Sequence, residues 1–257
     1  MLHQLKRHPF AVSAQFEHCL VLTYAAAADV LDALLPPGLE LDRLERRPDL
    51  GFLAIGFVQT RDLRPAGAPS WAGQDFFLSG YRIFARFRTP RGRLLRGLRI
   101  LRSDTDSRAM TAFGNLLTHY HYQKARVDLL SHDGRLEITV STPHSEADLR
   151  VVADISNADA TLPDDSCFES LVEARRFAGP LPYTFDYEPE THSIIAIRAT
   201  RRNWLPRLVN VHVERCTFFE QGPLLEARPV LVSAYYQSDI SYCWERGVRY
   251  DLRETVR

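Results

Sequence analysis

Lysine is nearly absent from this chain of 257 residues, in which only Lys6 and Lys124 are lysines among 32 basic residues. Arginine stays protonated at physiological pH and cannot condense with a carbonyl compound. Any amine nucleophile must therefore be Lys6, Lys124 or the N-terminus. This scarcity confines Schiff-base chemistry to very few groups.

Cysteine is also scarce, and its spacing argues against two classes of protein. Cys19, Cys167, Cys216 and Cys243 lie far apart and form no Cys-x-x-Cys pair, so neither a zinc ribbon nor a disulfide scaffold is predicted. The N-terminal ten residues contain no apolar block before a cleavage site, and no later run approaches the roughly 20 apolar residues of a membrane span. We expect a cytoplasmic protein with reduced thiols.

The chain has no excess charge, because 32 basic residues balance 32 acidic ones. No global field draws it to nucleic acid or to a membrane, and a small molecule is the expected partner. The sequence also has no Gly-x-Gly-x-x-Gly fingerprint, no phosphate-binding loop and no Gly-x-Ser-x-Gly elbow. No cofactor is predicted.

Residues 103–134 concentrate the candidate site chemistry. Side-chain oxygens at 103–107 are typical of a helix start, and apolar residues follow at helical spacing as far as Leu117. Residues 118–130 have a β-rich composition, and Asp133-Gly134 is typical of a two-residue hairpin turn. We predict a helix, a strand and a hairpin in one continuous unit.

Strand-like segments dominate the rest of the chain and are separated by turns rich in proline and glycine. Two further short helices are predicted, one at 25–35 and one starting at Ser166, which has capping-box spacing with Glu169. There are no repeats and no strict alternation of strands and helices. We predict one domain, residues 1–257, of the α+β class and built mainly on antiparallel sheet.

Eight arginines and no acidic residue lie between Asp75 and Asp104. Charge runs are usually solvated, so we interpret these arginines as an outer face paired with acids elsewhere, in preference to an anion-binding surface. The candidate acidic partners are Glu146, Asp148, Asp154, Asp164, Asp165, Glu169 and Glu173.

Five segments carry a likeness to a known family. They are Leu34 to Glu40 after a short helix, Phe77 to Phe87, Ser103 to Asp106 before a helix, Leu181-Pro182-Tyr183, and Trp204 before a strand. Together they resemble the uncharacterised YqjF-like family, which is grouped with the acetoacetate decarboxylase-like superfamily. The resemblance spans nearly the whole chain and implies a closed, cone-like antiparallel β fold around an interior cavity.

The resemblance extends to the fold, but the residues that carry out the decarboxylase reaction are missing from this sequence. In the decarboxylase, a Gly-x-Pro segment leads into a Lys-Lys pair whose first lysine forms a Schiff base with a keto acid. The matching segment here is Gly114-Asn115-Leu116-Leu117, which contains no lysine, and Lys124 follows ten residues after Gly114. The acid that the decarboxylase keeps on the preceding strand is also missing around Ser79 and Gly80.

Strand parity divides the candidate site residues of 118–126 between two faces. Tyr120, Tyr122 and Lys124 share one face, and His119 and His121 share the other. Only one face can line a cavity, and the sequence leaves that choice open. On the tyrosine face, Lys124 would be the catalytic amine or an anion-binding cation, with the tyrosine hydroxyls orienting a ligand.

On the histidine face, His119 and His121 could share a metal, with further ligands from Glu17, His18, His212 or Glu214. The favoured interpretation is that both are strand histidines held by hydrogen bonds. No metal is predicted. Arg82 and Glu17 complete the predicted ligand-binding set, and Glu17 could equally form a structural ion pair with Arg82 or Arg86.

Three functions are consistent with these observations. The leading hypothesis is a protein that binds a small organic ligand, such as a carboxylate, in an interior cavity. The second is a Schiff-base lyase, decarboxylase-like or dehydratase-like, that acts on a keto acid through Lys124. The third is a homo-oligomeric interaction protein whose arginine-rich hairpin meets an acidic surface of a second copy.

Overall fold

The computed structural model describes residues 2–157, 159–179 and 181–253, which form fifteen strands and four α-helices. The strands are β1 (Val12–Ala27), β2 (Leu39–Leu41), β3 (Leu50–Pro65), β4 (Gln74–Arg88), β5 (Leu94–Thr105), β6 (Tyr122–Lys124), β7 (Arg126–His132), β8 (Arg135–Ser141), β9 (Leu149–Asp154), β10 (Tyr183–Glu188), β11 (Ser193–Arg201), β12 (Arg207–Leu208), β13 (Asn210–Cys216), β14 (Val230–Trp244) and β15 (Val248–Asp251). The helices are α1 (Ala28–Ala33), α2 (Asn115–Leu117), α3 (Leu171–Ala178) and α4 (Gly222–Ala227). None of these helices is long and apolar enough to cross a membrane.

Seven strands of the larger sheet close into a ring. Their order is β14-β1-β3-β4-β5-β10-β11, and β11 pairs with β14 again through Ala199 to Arg201. Every pairing in the ring is antiparallel except that of β5 with β10. The predicted α+β class with a closed, mainly antiparallel and cone-like sheet is confirmed, whereas the single domain of 1–257 stays a prediction.

The long strand β3 has a nearly continuous apolar run because both of its faces are covered. Phe52, Leu53, Ile55 and Phe57 are all buried. One face of β1, β3 and β4 points into the ring, and the other packs against the second sheet, of order β13-β9-β8-β7. A strand covered on both sides gains nothing from alternating polar residues. The inside of the ring is therefore separated from the core that joins the two sheets.

The predicted hairpin is confirmed, and it builds half of the second sheet. β7 and β8 are joined by Asp133 and Gly134, which have φ of 47° and 75°, in register from Arg126↔Ser141 to His132↔Arg135. Positive φ at both loop positions suits the right-handed twist of the two strands. Leu136, Ile138 and Val140 then alternate into the core between the sheets.

The predicted helix after residues 103–107 is confirmed, whereas the predicted strand at 118–130 is wrong in its boundaries. β5 continues to Thr105, and the backbone is then helical over residues 108–117, with a π-helical turn at Met110–Gly114. The Ser107 hydroxyl accepts from the Met110 N–H at 3.2 Å at the start of this helix. The strand is short because His121 has φ of 54°, which interrupts extended backbone before Tyr122. β6 then pairs parallel to β5, and β7 leaves for the second sheet.

The predicted cap of the third helix is also wrong. α3 begins at Leu171, where the side chain of Ser170 accepts a hydrogen bond from the backbone N–H of Glu173. The Glu173 carboxylate in turn accepts from the N–H of Glu169, so the reciprocal cap lies four residues later than predicted. Ser166 instead donates to the carbonyl of Val232 on β14.

Most arginines of β4 and β5 pair within the chain, but mainly with acids other than those predicted. Arg96 binds Asp42 at 2.6 Å, Arg99 binds Asp186 at 3.1 Å, and Arg102 bridges Asp104 and Glu146. Of the acids proposed from sequence only Glu146 serves in these pairs. Asp186 lies on the neighbouring strand β10 and Asp104 on β5 itself, whereas Asp42 follows β2 and Glu146 precedes β9. The tertiary fold therefore decided most of these pairs.

Candidate functional site

The ring encloses a cavity of about 340 Å³. Its wall is formed by inward-facing residues of the ring strands, including Ala54 and Val58 of β3 and Leu78 of β4. Phe84 packs under Phe177 of α3 at one end of β4. Phe76 packs against Tyr120 and Tyr122 at the other end. The volume falls within the range of small-molecule sites.

Aromatic side chains line much of one wall. Phe16 stacks on Tyr242 with ring centroids 4.6 Å apart, and Tyr242 lies 4.4 Å from Trp244. Leu205, which is 81% exposed, also lines the cavity and shows where it reaches solvent. These surfaces are suited to a flat or branched apolar body.

Three arginines line this apolar cavity, and no acidic residue or lysine does so among the described residues. The arginines are Arg82 of β4, Arg175 of α3 and Arg201 of β11. Arg82 and Arg201 are half-buried and Arg175 is exposed. A cation that is partly withdrawn from water without a counter-charge is stabilised when an anion joins it. The cavity therefore has the charge of an anion-binding site and the walls of an apolar one.

Two of these arginines are held by the protein itself. Arg175 donates to the carbonyl of Pro206 at 2.6 Å. Arg201 donates to the carbonyl of Leu181 at 3.0 Å and to the Tyr242 hydroxyl at 3.1 Å, and its guanidinium lies over the Trp204 ring. Neutral acceptors fix these side chains without neutralising their charge.

Arg82 differs, because it makes no hydrogen bond or ion pair with any described residue. Burial raises the pKa of the Cys19 thiol to about 11 and also raises the pKa of Tyr122. The charge of Arg82 acts in the opposite direction on both groups. A guanidinium offers five N–H donors in a planar fork. Arg82 thus presents an unused anion-binding group between Cys19 and Tyr122.

Further donors of the lining are also unused. Arg201 Nε, Trp204 Nε1 and the Tyr235 hydroxyl are buried and have no hydrogen-bond partner in the described part of the chain. Buried donors normally find an acceptor. These three atoms are positions at which the polar atoms of a ligand would be held.

The two tyrosines of the predicted site lie in the cavity wall, which resolves the face left open by the sequence. Asn115 holds this segment, since its side-chain amide donates to the Tyr122 carbonyl and its oxygen accepts from the Tyr122 N–H, both at 2.8 Å. Burial is the main cause that raises the pKa of both Tyr120 and Tyr122. Both phenols are therefore neutral donors at neutral pH.

Lys124 shares the parity of the tyrosines but lies outside the cavity. Its Nζ donates to the carbonyls of Asp106 at 2.6 Å and Ala125 at 3.1 Å, and the residue is exposed. β6 ends at Lys124, so the chain turns toward the second sheet there. The structure does not bring Lys124 together with Arg82, Tyr120 and Tyr122.

The two histidines of the predicted site are also absent from the lining. Burial, together with the charges of Lys6 and Arg99, lowers the pKa of His119 to about 4. The pKa of His121 is lowered by the same causes. Both imidazoles are thus neutral near pH 7.

Glu17 lies in a separate polar cleft with His18, between the ring and β7. It binds Arg61 at 2.7 Å, and His18 Nδ1 lies 2.7 Å from the Tyr236 hydroxyl. Within residues 2–157, 159–179 and 181–253, no three His, Cys, Asp or Glu side chains are grouped so that they could hold a metal ion.

Asp186 is a fully buried acid near the tyrosine end of the cavity. It contributes to the raised pKa of Tyr120, and its Oδ1 accepts from Arg99 at 3.1 Å while its Oδ2 has no described partner. Burial raises the pKa of Asp186 to about 6 against the opposing charge of Arg99. Asp104 behaves similarly, since burial raises its pKa to about 6 against Arg102.

Arg175, Arg201 and Trp204 are site residues that the sequence reasoning missed. They come from α3, from the end of β11 and from the loop after it, and only ring closure brings them together. No sequence signal singles them out. Arg175 follows Glu173 by two residues, and Arg201 is one of many arginines in the chain without an acid beside it.

The profile of a conserved family, DUF2071, described as "Uncharacterized conserved protein (COG2071)", matches residues 13–237. The chain belongs to this family. The match includes part or all of every strand of the ring and ends within β14. No curated protein sequence matches the chain.

Solved structures of acetoacetate decarboxylase-like proteins share the fold. Acetoacetate decarboxylase from Legionella pneumophila has a TM-score of 0.62 at 15% identity, over 94% of this chain and 87% of that one. An acetoacetate decarboxylase-like enzyme from Sphingomonas wittichii RW1 has a TM-score of 0.57 at 14% identity, over 93% and 92%. The enduracididine biosynthesis enzyme MppR, complexed with pyruvate, has a TM-score of 0.55 at 12% identity, over 94% and 90%. At these identities the likeness is one of fold, and it confirms the acetoacetate decarboxylase-like fold predicted from sequence.

Proposed function

We propose that this DUF2071 protein binds a small organic carboxylate inside its ring, with the acid group on Arg82. The observation that carries the proposal is an arginine without a partner among the described residues, in a cavity lined by apolar and aromatic side chains. A carboxylate would neutralise this charge through bidentate hydrogen bonds, which are the strongest that a guanidinium makes. Tyr120, Tyr122 and the unused donors near Trp204 would orient the rest of the ligand.

MppR of the same fold is complexed with pyruvate, a carboxylate of the proposed class. Schiff-base chemistry is not part of the proposal, since neither Lys6 nor Lys124 lines the cavity. The homo-oligomeric function stays a prediction that no observation favours.

Tryptophan fluorescence offers a direct test, because Trp204 and Trp244 line the cavity whereas Trp71 is 85% exposed away from it. We expect benzoate, phenylacetate and acetoacetate to change the emission in a saturable way. Benzamide, which has the shape of benzoate without its charge, should bind at least about tenfold more weakly. Arg82→Gln should remove the difference between the acid and the amide.

Arg88→Gln is the matched control, because Arg88 is an exposed arginine of the same strand and donates to the carbonyl of Gly92 outside the cavity. It should bind benzoate as the wild type does. Equal affinity of Arg82→Gln and wild type for benzoate would overturn the proposal, as would equal affinity of the wild type for benzamide and benzoate.

A further inference from the structure

The guanidinium of Arg82 lies directly over two glycines. Gly56 of β3 and Gly80 of β4 are partners in the strand register. A Cβ atom built on Gly56 would lie 2.7 Å from Arg82 Nη1, and one built on Gly80 would lie 2.9 Å from Nη2 and 3.0 Å from Nε. These distances are shorter than a side-chain methyl group tolerates. The two glycines therefore leave a gap in the wall that only the flat guanidinium fills.

Backbone conformation does not explain these glycines. Neither Gly56 nor Gly80 has a positive φ, and both lie within regular antiparallel pairing between β3 and β4. Glycine in the middle of a strand weakens the strand and commonly marks the close approach of another group. The approaching group here is the side chain of Arg82, since its atoms are the nearest to both built Cβ positions.

We propose that Gly56 and Gly80 are positioning residues that hold Arg82 flat against the wall and thereby determine the size of acid that the cavity accepts. This inference rests on the proposed carboxylate function. Arg82 begins on β4 opposite Ala54, and its side chain runs back over the glycine pair. In this position the cation takes little of the cavity's 340 Å³, and its N–H edges stay available to a ligand.

A methyl group at either glycine would lift the guanidinium into the cavity. The strand would not have to move, because the atoms in the way are the far end of a flexible side chain. The acid would still meet a cation, but the space left for its apolar body would be shorter. Large acids should therefore lose more affinity than small ones, as in any overpacked site.

The test compares benzoate with the longer 2-naphthoate by tryptophan fluorescence in the wild type, Gly56→Ala, Gly80→Ala, Arg82→Lys and Gly80→Ala/Arg82→Lys. We expect each glycine variant to weaken 2-naphthoate at least about fivefold more than benzoate. Lysine has no planar group to lie over the glycines, so Gly80→Ala should change affinity less than about twofold in the Arg82→Lys background. This non-additivity separates positioning from a general structural role.

Gly51→Ala is the matched control on β3, because its Cβ would meet the side chains of Leu31 and Leu41 and not Arg82. Circular dichroism of each variant checks folding. If Gly80→Ala does not fold, the affinities of Gly56→Ala for benzoate and 2-naphthoate are compared instead. The inference is overturned if both acids lose affinity equally, if Gly80→Ala has the same effect in the Arg82→Lys background as in the wild type, or if neither glycine variant folds. If the wild type binds neither acid, it is the proposed carboxylate function itself that fails.

Discussion

At the scale of single residues, the arginines of the neighbouring strands β4 and β5 differ in whether an acid pairs with them. Arg99 and Arg102 are neutralised by the buried acids Asp186 and Asp104. Arg82 lies on the adjacent strand and has no such acid among the described residues. Because a half-buried cation without a counter-charge is stabilised by an anion, this contrast identifies Arg82 as the group that a ligand would satisfy.

The buried acid Asp186 gives a pH prediction. Burial raises its pKa to about 6 in the folded protein, whereas the ordinary value is 3.8. The folded state thus holds this proton more tightly than the unfolded state, so its contribution to stability is complete below about pH 4 and is lost as the pH rises through about 6. A shift of this size corresponds to about 3 kcal/mol, most of which is lost between about pH 4 and pH 7.

Asp186→Asn removes this titration. Relative to the wild type, the variant should therefore gain about 2 kcal/mol in unfolding free energy between pH 4 and pH 7, measured by urea denaturation. Asp128→Asn is the control, because Asp128 is an exposed aspartate. A difference between Asp186→Asn and wild type that does not change with pH would contradict the assignment.

At the scale of elements, helix α3 forms one end of the cavity wall, so the stability of that wall depends on the N-terminal cap of the helix. Phe177 packs on Phe52 and Phe84, and Ala178 lies in the lining. The helix is only eight residues long, and its first turn depends on Ser170. Weakening that cap should loosen one end of the cavity.

Ser170→Ala should lower the unfolding free energy by about 1 kcal/mol, because the N–H of Glu173 loses its side-chain acceptor. Ser170→Asp keeps an acceptor at the same position and should be close to the wild type. Thermal and urea denaturation measure both variants. Equal stability of Ser170→Ala and wild type would show that the cap does not stabilise α3.

The boundaries of helices and strands were predicted well where the conformation of neighbouring residues alone decides them. The Asp133-Gly134 turn was correct because two positive φ values are a local requirement. The strand at 118–130 was wrong because His121 adopts a positive φ, which its own side chain does not demand. Asn115, through its hydrogen bonds to Tyr122, supplies the tertiary reason for that irregular path.

At the scale of the whole molecule, ring closure brings the site together. β11 and β14 meet over only three residue pairs, yet this contact places Arg201 beside Tyr242 and completes the wall. The same closure leaves both lysines out of the lining. The fold of a decarboxylase is thus combined with an interior that contains arginines in place of an amine.

A borohydride experiment tests this separation of fold and chemistry. Reduction with sodium borohydride in the presence of pyruvate or acetoacetate should leave the protein mass unchanged, because no lysine amine of the described residues faces the cavity and Lys124 Nζ is bound to two carbonyls. Acetoacetate decarboxylase treated in parallel serves as the positive control. An adduct that disappears in Lys124→Ala would establish the Schiff-base alternative instead.

The sequence by itself determined the fold class, the hairpin and the poor supply of amine nucleophiles, because these depend on composition, side-chain alternation and turn chemistry. It also named Arg82, Tyr120 and Tyr122 as candidates. Only the tertiary structure decided that these three share one cavity with Arg175 and Arg201, and that Lys124, His119, His121 and Glu17 lie outside its lining. The physical reason is that a closed sheet gives every ring strand an inner face, and which residues meet there depends on register and closure between segments far apart in the chain.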